Sequence, residues 1–544
     1  MESLPIAVGM THEDLLAPMV RLGTHPVTGE SAQLRKQRII AMHAGDGGEF
    51  EEIIGGRSYR ATVTRMRDGG SVSLMTDVTS LMEIQQTLEQ ARAGRCLVHA
   101  LYALRHLDEC IAAFEGLREP AAEPQRLARA VQGALRHGRV LLRTPAPESE
   151  RALARERFLT GIPMGEVYVA RGQTRRVATL VLRSLALAEQ AEDAALRVMS
   201  SVGLGIFAEL LGLRRISDGL FRRGERYLQG LSDPRAQLEY LRISGLLLLG
   251  RGELTQAEQR LQAALRCADE LDEEEQRLLV TTLLASHAGL RGERALIERR
   301  ARALELAAAP SQHPQYLAAS RLYRAQAALY ADDLDAAESA LSSIAEPQRR
   351  LPLTHFFLWS YRALLELRRA ERSADHHAAA RCVGEALALV PHIAMHSPAH
   401  LLYLGSLLEV CLELARQAGG SERARFLTRT ERALGLMRQL AARFPIVQAR
   451  LWLYEGQAAE LAGRSARART LLLRAQAAAV RQELPFDCAL THRALARLDL
   501  GALEAEHVRL ARRHLATAAT QFERLGAVAE QRRTLRLLEE LLGD

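Results

Sequence analysis

Leu451 to Ala477, "LWLYEGQAAELAGRSARARTLLLRAQA", is two helices and the break between them. Apolar and small residues recur every three or four positions on both sides of Gly463, the residue type that most readily closes a helix. Gly456 and Ala468 are small enough to let two antiparallel helices approach closely, while the larger Trp452 and Leu472 fill the seam between them and Ala475 falls in the same frame. The same frame returns with Gly245, Leu248, Gly252, Leu254, Ala257, Leu261 and Ala264, and again with Ala325, Ala337, Leu341 and Ile344. Ala379, Val383, Ala386 and Pro391 fit its second half. Pairs of this kind cannot bury their apolar faces singly, so they stack into an α-solenoid with a concave surface.

Composition agrees with a mostly α chain. Of 544 residues, 48% are hydrophobic and only 4% aromatic, a mixture that favours helices over sheets. The net charge of +7 raises nucleic acid as a partner, but arginines alternate with Glu and Asp, as in "ELTQAEQRLQAALRCADELDEEEQR", and no recognition motif accompanies them. Nucleic acid is therefore disfavoured. Lys36 is the only lysine, and it stands in "QLRKQRII" with no glycine nearby, so neither a phosphate-binding loop nor a kinase lysine is available. No catalytic constellation, cofactor motif or metal-ligand spacing stands out. His392, His396 and His400 are four apart, but Pro398 interrupts any continuous helix through them.

Cys96, Cys110, Cys267, Cys382, Cys411 and Cys488 are widely separated and suggest buried thiols in a reducing compartment. "MESLPIAVGM" has no signal-peptide character, and Val198 to Leu213 is too short to span a bilayer. The expectation is a cytoplasmic protein without a membrane segment.

The repeat residues of Leu451 to Ala477 occupy the packing positions of a tetratricopeptide (TPR) repeat, and on them the stretch resembles that family. The array from Leu231 to Asp544 also looks like those at the ends of bacterial multidomain ATPase-type regulators and adenylate cyclases. The resemblance implies a protein or peptide bound in the solenoid groove, recognised by polar residues of the first helices: Arg242, Gln326, Arg450, Gln457 and Glu460. On that reading, Arg450→Glu weakens binding and spares the fold.

The N-terminal part differs. Helices are expected from Thr11 to Gly23 and from Glu30 to His43, followed by strands near Glu49–Ile54, Ser58–Arg65 and Ser71–Thr76 in an antiparallel meander. "DGGSVSLMTDVT" then leads into a helix. With Asp77, Val78 and Thr79 matching the family's exit signature, this resembles the C-terminal half of a PAS sensor domain, in which Asp77 and Thr79 fix the angle of the outgoing helix. Leu81, Ile84, Leu88 and Ala91 form a short seam expected to stop at Gly94 and Arg95. Two strands of a full PAS sheet are missing, which leaves an edge of β structure to be covered by the chain's own N-terminal segment, by a second copy as a homodimer, or by strands from a longer natural start; self-pairing or a longer start is expected.

The expected organisation is thus a PAS-like module at 1–80, a signalling helix at 81–94, a helical region at 95–230 and TPR-like repeats at 231–544. The expected function is a non-catalytic signalling adaptor. The alternative is a DNA-associated transcriptional regulator whose helical domain senses a ligand or protein, and salt-dependent retention on DNA distinguishes the two.

Overall fold

The structure is a computed structural model that describes residues 37, 41, 47–54, 57–65, 71–103, 107–117, 147–171, 173–345, 352–373, 375–393, 395–501 and 505–543. Two compact units emerge: residues 1–118 with 144–160, and residues 119–143 with 161–544. The expected helix at Thr11 to Gly23 and Lys36 lie outside the described residues. The second expected helix is described only at Gln37 and Ala41, both helical.

In the first unit, β1 (Gly47–Ile54), β2 (Arg57–Arg65) and β3 (Ser71–Asp77) form one antiparallel sheet in the order β1-β2-β3. Glu51 stands opposite Arg60 and pairs with it at 2.7 Å, while Ala61 and Val63, two apart, share the buried face. Helix α1 (Thr79–Ala103) follows β3 after the single residue Val78, and α2 (Leu107–Gly116) follows α1.

The junction is tightly bonded. The Asp77 carboxylate accepts the Thr79 N–H at 3.0 Å and its hydroxyl at 2.6 Å, and the Thr79 oxygen accepts the Ser58 N–H at 2.8 Å. These bonds from Thr79 hold the Asp77 carboxyl below its ordinary value. They also tie the start of α1 to β2. Thr79→Val is expected to orphan the Ser58 amide at a cost of about 1 kcal/mol, read as faster hydrogen exchange at Ser58 and in the first turn of α1.

One expectation is corrected here: α1 does not stop at Gly94 and Arg95 but runs on to Ala103. Gly94 is buried, and a β-carbon there would lie 2.6 Å from the Leu117 methyls. The glycine serves a close approach rather than a helix end. Arg95 is equally committed, with its Nε 2.7 Å from Glu156.

Helix α3 (Glu148–Ala170) begins in the first unit and passes to the second at Gly161. The second unit continues as helices joined by short turns: α4 (Thr174–Gln190), α5 (Ala194–Leu210), α6 (Arg214–Leu228), α7 (Pro234–Arg251), α8 (Leu254–Glu270), α9 (Glu274–Arg291), α10 (Arg294–Ala308), α11 (Pro314–Ala331), α12 (Leu334–Ser342), α13 (Pro352–Ser373), α14 (His377–Ala388), α15 (His400–Gln417), α16 (Gly420–Arg443), α17 (Gln448–Leu461), α18 (Ser465–Arg481), α19 (Pro485–Leu500), α20 (Ala505–Leu525) and α21 (Val528–Gly543). Consecutive helices pack as hairpins, and the hairpins stack in a solenoid-like array. Every second helix from α7 to α19 forms an inner layer.

The turns are periodic. Gly212, Gly252, Gly292 and Asp332 adopt left-handed backbone at the ends of α5, α7, α9 and α11, and their numbers step by 40. Within the hairpins, a β-carbon on Gly245 would lie 2.7 Å from Leu261, and one on Gly456 would lie 2.9 Å from Leu472. Ala257, Ala337 and Ala468 are fully buried in the same seams, and Trp452 is half-buried. No helix among the described residues is long and apolar enough to cross a membrane. The Val198 to Leu213 segment falls in α5 and its turn, where Glu209 is held by Arg251 at 2.6 Å.

Candidate functional site

Charged residues on the inner helices fall at helical spacing on single faces: Arg368 and Glu371 on α13, Glu409, Glu413 and Arg416 on α15, Arg493 and Arg497 on α19, Glu530 and Arg533 on α21. The stacking brings these faces together. Arg368 meets Glu409 at 2.9 Å and Glu371 at 3.1 Å, and also pairs with Glu530. Glu530 accepts Arg493 at 2.5 Å. Arg533 reaches Glu409 at 2.7 Å and Glu371 at 3.0 Å, and Glu413 collects Arg416 at 3.3 Å and Arg497 at 3.5 Å. Arg416 extends the network to Glu460 at 3.1 Å.

Five arginines thus face five glutamates: Arg368, 416, 493, 497 and 533 against Glu371, 409, 413, 460 and 530. Burial alone would push the Glu413 carboxyl up, but Arg497, Arg533 and Arg416 hold it down at about 2. Arg493, Arg368 and Arg533 likewise hold Glu530 well below the usual range against the same desolvation. Burial lowers Arg497 to about 10, with Arg416 beside it.

Beside the network lies a second buried pair, Arg450 and Asp487, with Arg450 Nε 2.9 Å from the carboxylate. Tyr330 stacks on Phe486 at 4.7 Å, and the Tyr454 hydroxyl donates to the Gly405 carbonyl at 2.9 Å. Arg450, Tyr330, Phe486 and Tyr454 line a cavity of about 20 Å³, room for a water and not for a substrate. Gln326 Oε1, Tyr361 Oη and Asp487 Oδ2 are buried without a protein partner among the described residues, so ordered water in and around this space would satisfy them.

The inner layer is closed by the chain itself. The Thr255 hydroxyl donates to Glu483 at 2.7 Å across 228 residues, Gly292 abuts Phe486, and Arg532 pairs with Asp332. This changes the position of the residues expected to line an open groove. Arg242, Gln326 and Arg450 are buried at 7%, 3% and 3% exposure. Arg242 pairs with Glu239 on its own helix, away from the network, and the Gln326 amide donates to the Gly289 carbonyl at 3.3 Å. Gln457 and Glu460 are half-buried and stand at the edge of the network. Four of the five, Gln326, Arg450, Gln457 and Glu460, therefore gather near one axis, but the chain's own side chains fill it.

Sequence reasoning passed over Arg368, Glu409, Glu413, Asp487, Arg493, Arg497, Glu530 and Arg533. Their signal was isolated charge in an apolar run: "LLYLGSLLEVCLELARQ" carries Glu409 and Glu413 one turn apart in a helix that is otherwise almost wholly buried. His400 begins that helix, His392 sits in a separate short turn, and only His396 approaches His400, with ring centres 4.9 Å apart.

A pH-sensitive contact lies further along. His492 on α19 and His514 on α20 place their Nδ1 atoms 2.8 Å apart, so one ring must be an acceptor. Burial, then the neighbouring His514, lowers His492 from 6.5 to about 4. The folded state binds fewer protons than the unfolded chain between those values, so stability is expected to fall as pH drops from about 6.5 toward 4. The melting temperature should decline less over that interval in His492→Gln.

No protein-family model matches the chain, and no curated protein matches it.

Proposed function

We propose that the chain is a non-catalytic signalling adaptor of cytoplasmic, bacterial type, whose TPR-like array binds a protein or peptide and whose N-terminal sheet and exit helix are a PAS-like input module. The observation that carries this reading is the inner helical layer itself, where ionic side chains from successive hairpins converge on one axis. Stacked hairpins that gather polar residues on one side are a general means of recognising extended or helical segments. The bonding of Asp77, Thr79 and Ser58 supports coupling between the sheet and α1.

Crosslinking of the full-length chain to a co-purifying protein, mapped by mass spectrometry, tests the reading. Crosslinks on the inner helices support it. A partner contacting only residues 1–118 removes the array from the binding role. The adaptor reading also requires that purified protein hydrolyse no ATP; turnover abolished by Lys36→Ala would overturn it.

Self-association belongs to the same reading. Among the described residues β3 pairs only with β2, and a strand edge of that kind is what a second copy would pair with. Sedimentation of Leu74→Lys beside the unaltered chain decides this, with a shift from dimer to monomer expected. The DNA-regulator alternative gains nothing from the axis, whose arginines are already matched by glutamates.

A further inference from the structure

The last helix departs from the order of the array. Each inner helix from α13 to α17 packs on the inner helix that follows it, whereas α21 packs on α20 and on α11, ten helices back. Its first two turns supply Ala529, Glu530 and Thr534, all buried, to the centre of the network. Further along, Leu535 is 37% exposed and Arg536, Glu539 and Glu540 face solvent.

The slot it fills is dipolar. At one point Arg368 and Arg493 converge on Glu530, and at another Glu371 and Glu409 converge on Arg533, three residues on. Without α21 the remaining network is still neutral: Arg368, 416, 493 and 497 against Glu371, 409, 413 and 460. What the slot loses is two local matches, a carboxylate for Arg493 and a guanidinium for the glutamates of α13 and α15. Those matches specify an occupant.

We infer that this slot is the partner site of the array and that α21 is its built-in occupant: the site takes an amphipathic helix bearing a carboxylate and, three residues later, a guanidinium. The inference rests on the adaptor reading and names the partner's chemistry. A buried glutamate between two arginines tolerates no uncharged replacement cheaply, so the slot discriminates by charge placement. Tethering gives α21 a high local concentration, so the resting chain is closed and an external helix enters only by outcompeting it.

The test uses the full-length chain and a fluorescent peptide of residues 527–543, "AVAEQRRTLRLLEELLG". In Glu530→Lys the tethered helix brings a third cation to Arg368 and Arg493 and should vacate the slot. The peptide is then expected to bind this variant at least tenfold more tightly than it binds the unaltered chain, and at least tenfold more tightly than a peptide carrying the same Glu530→Lys change. If the variant keeps its helical circular dichroism and binds neither peptide, or both equally, the inference fails.

Should the variant lose its fold, hydrogen exchange on the unaltered chain decides. Amides 528–536 are expected to exchange at least tenfold faster than amides 487–499, because α21 leaves its slot as a unit while α19 stays packed against α17, α18 and α20; exchange of both segments together overturns the inference. Peptide binding with no cellular partner leaves the slot standing and removes the adaptor reading. A partner that the peptide fails to displace does the reverse.

Discussion

Arg450→Glu is expected to lose about 3–5 kcal/mol of stability or more, the range for breaking one member of a buried ion pair. The side chain is 3% exposed and its partner Asp487 is 1% exposed. Reversal leaves two carboxylates within hydrogen-bonding reach in a site shielded from bulk solvent. Burial already pushes the Asp487 carboxyl up, with Arg450 opposing that shift. Proton uptake by one of the two acids would relieve part of the repulsion, so the loss should shrink as pH falls toward 5. Urea unfolding followed at 222 nm measures it, and Arg450→Met with Asp487→Leu should recover much of the loss, because removing both charges leaves no orphan. A variant as stable as the parent would place Arg450 at the surface, where the sequence reading had put it.

That reversal of expectation shows which parts of the molecule were legible. Helix pairs were readable from local pattern: Gly456 approaching Leu472 and Gly245 approaching Leu261 involve residues sixteen positions apart on adjacent helices. The strands were readable from β-branched runs and turn glycines, and their observed ends lie within two residues of expectation. The 40-residue step of Gly212, Gly252, Gly292 and Asp332 was also present in the sequence, but aspartate at the last position hides it from a search for glycine alone. Asp tolerates left-handed backbone better than most residues, which is why it substitutes there.

The site was legible only as composition. Position on an inner helix was inferable for Arg450, Gln457 and Glu460, but burial was not, since it depends on contacts between residues such as Thr255 and Glu483 that no local window contains. Gly94 failed for the related reason that a glycine in a helix reads as a break until its neighbour across the packing, Leu117, is known. Long-range closure turned a groove into an interior.

Gly292→Ala tests that closure, with an expected loss of about 2–5 kcal/mol made of two parts. Gly292 has φ of 75°, where an L-residue costs about 1–2 kcal/mol relative to glycine. A β-carbon there would also lie 2.5 Å from the Phe486 β-carbon, so either the backbone of α9 or that of α19 must move; overpacking of this kind costs about 1–3 kcal/mol. Gly463 supplies the control, because its φ of 72° is nearly the same and nothing lies within 4 Å of the position its β-carbon would take. Gly463→Ala should therefore show only the backbone part. Phe486 stacks on Tyr330 and borders the cavity beside Arg450, so displacing it should disturb the axis as well as the turn. In Gly292→Ala, and not in Gly463→Ala, amides near 486–490 should exchange faster. Equal losses in the two alanine variants would mean that α9 and α19 do not touch in solution, and that the axis stands open to a partner.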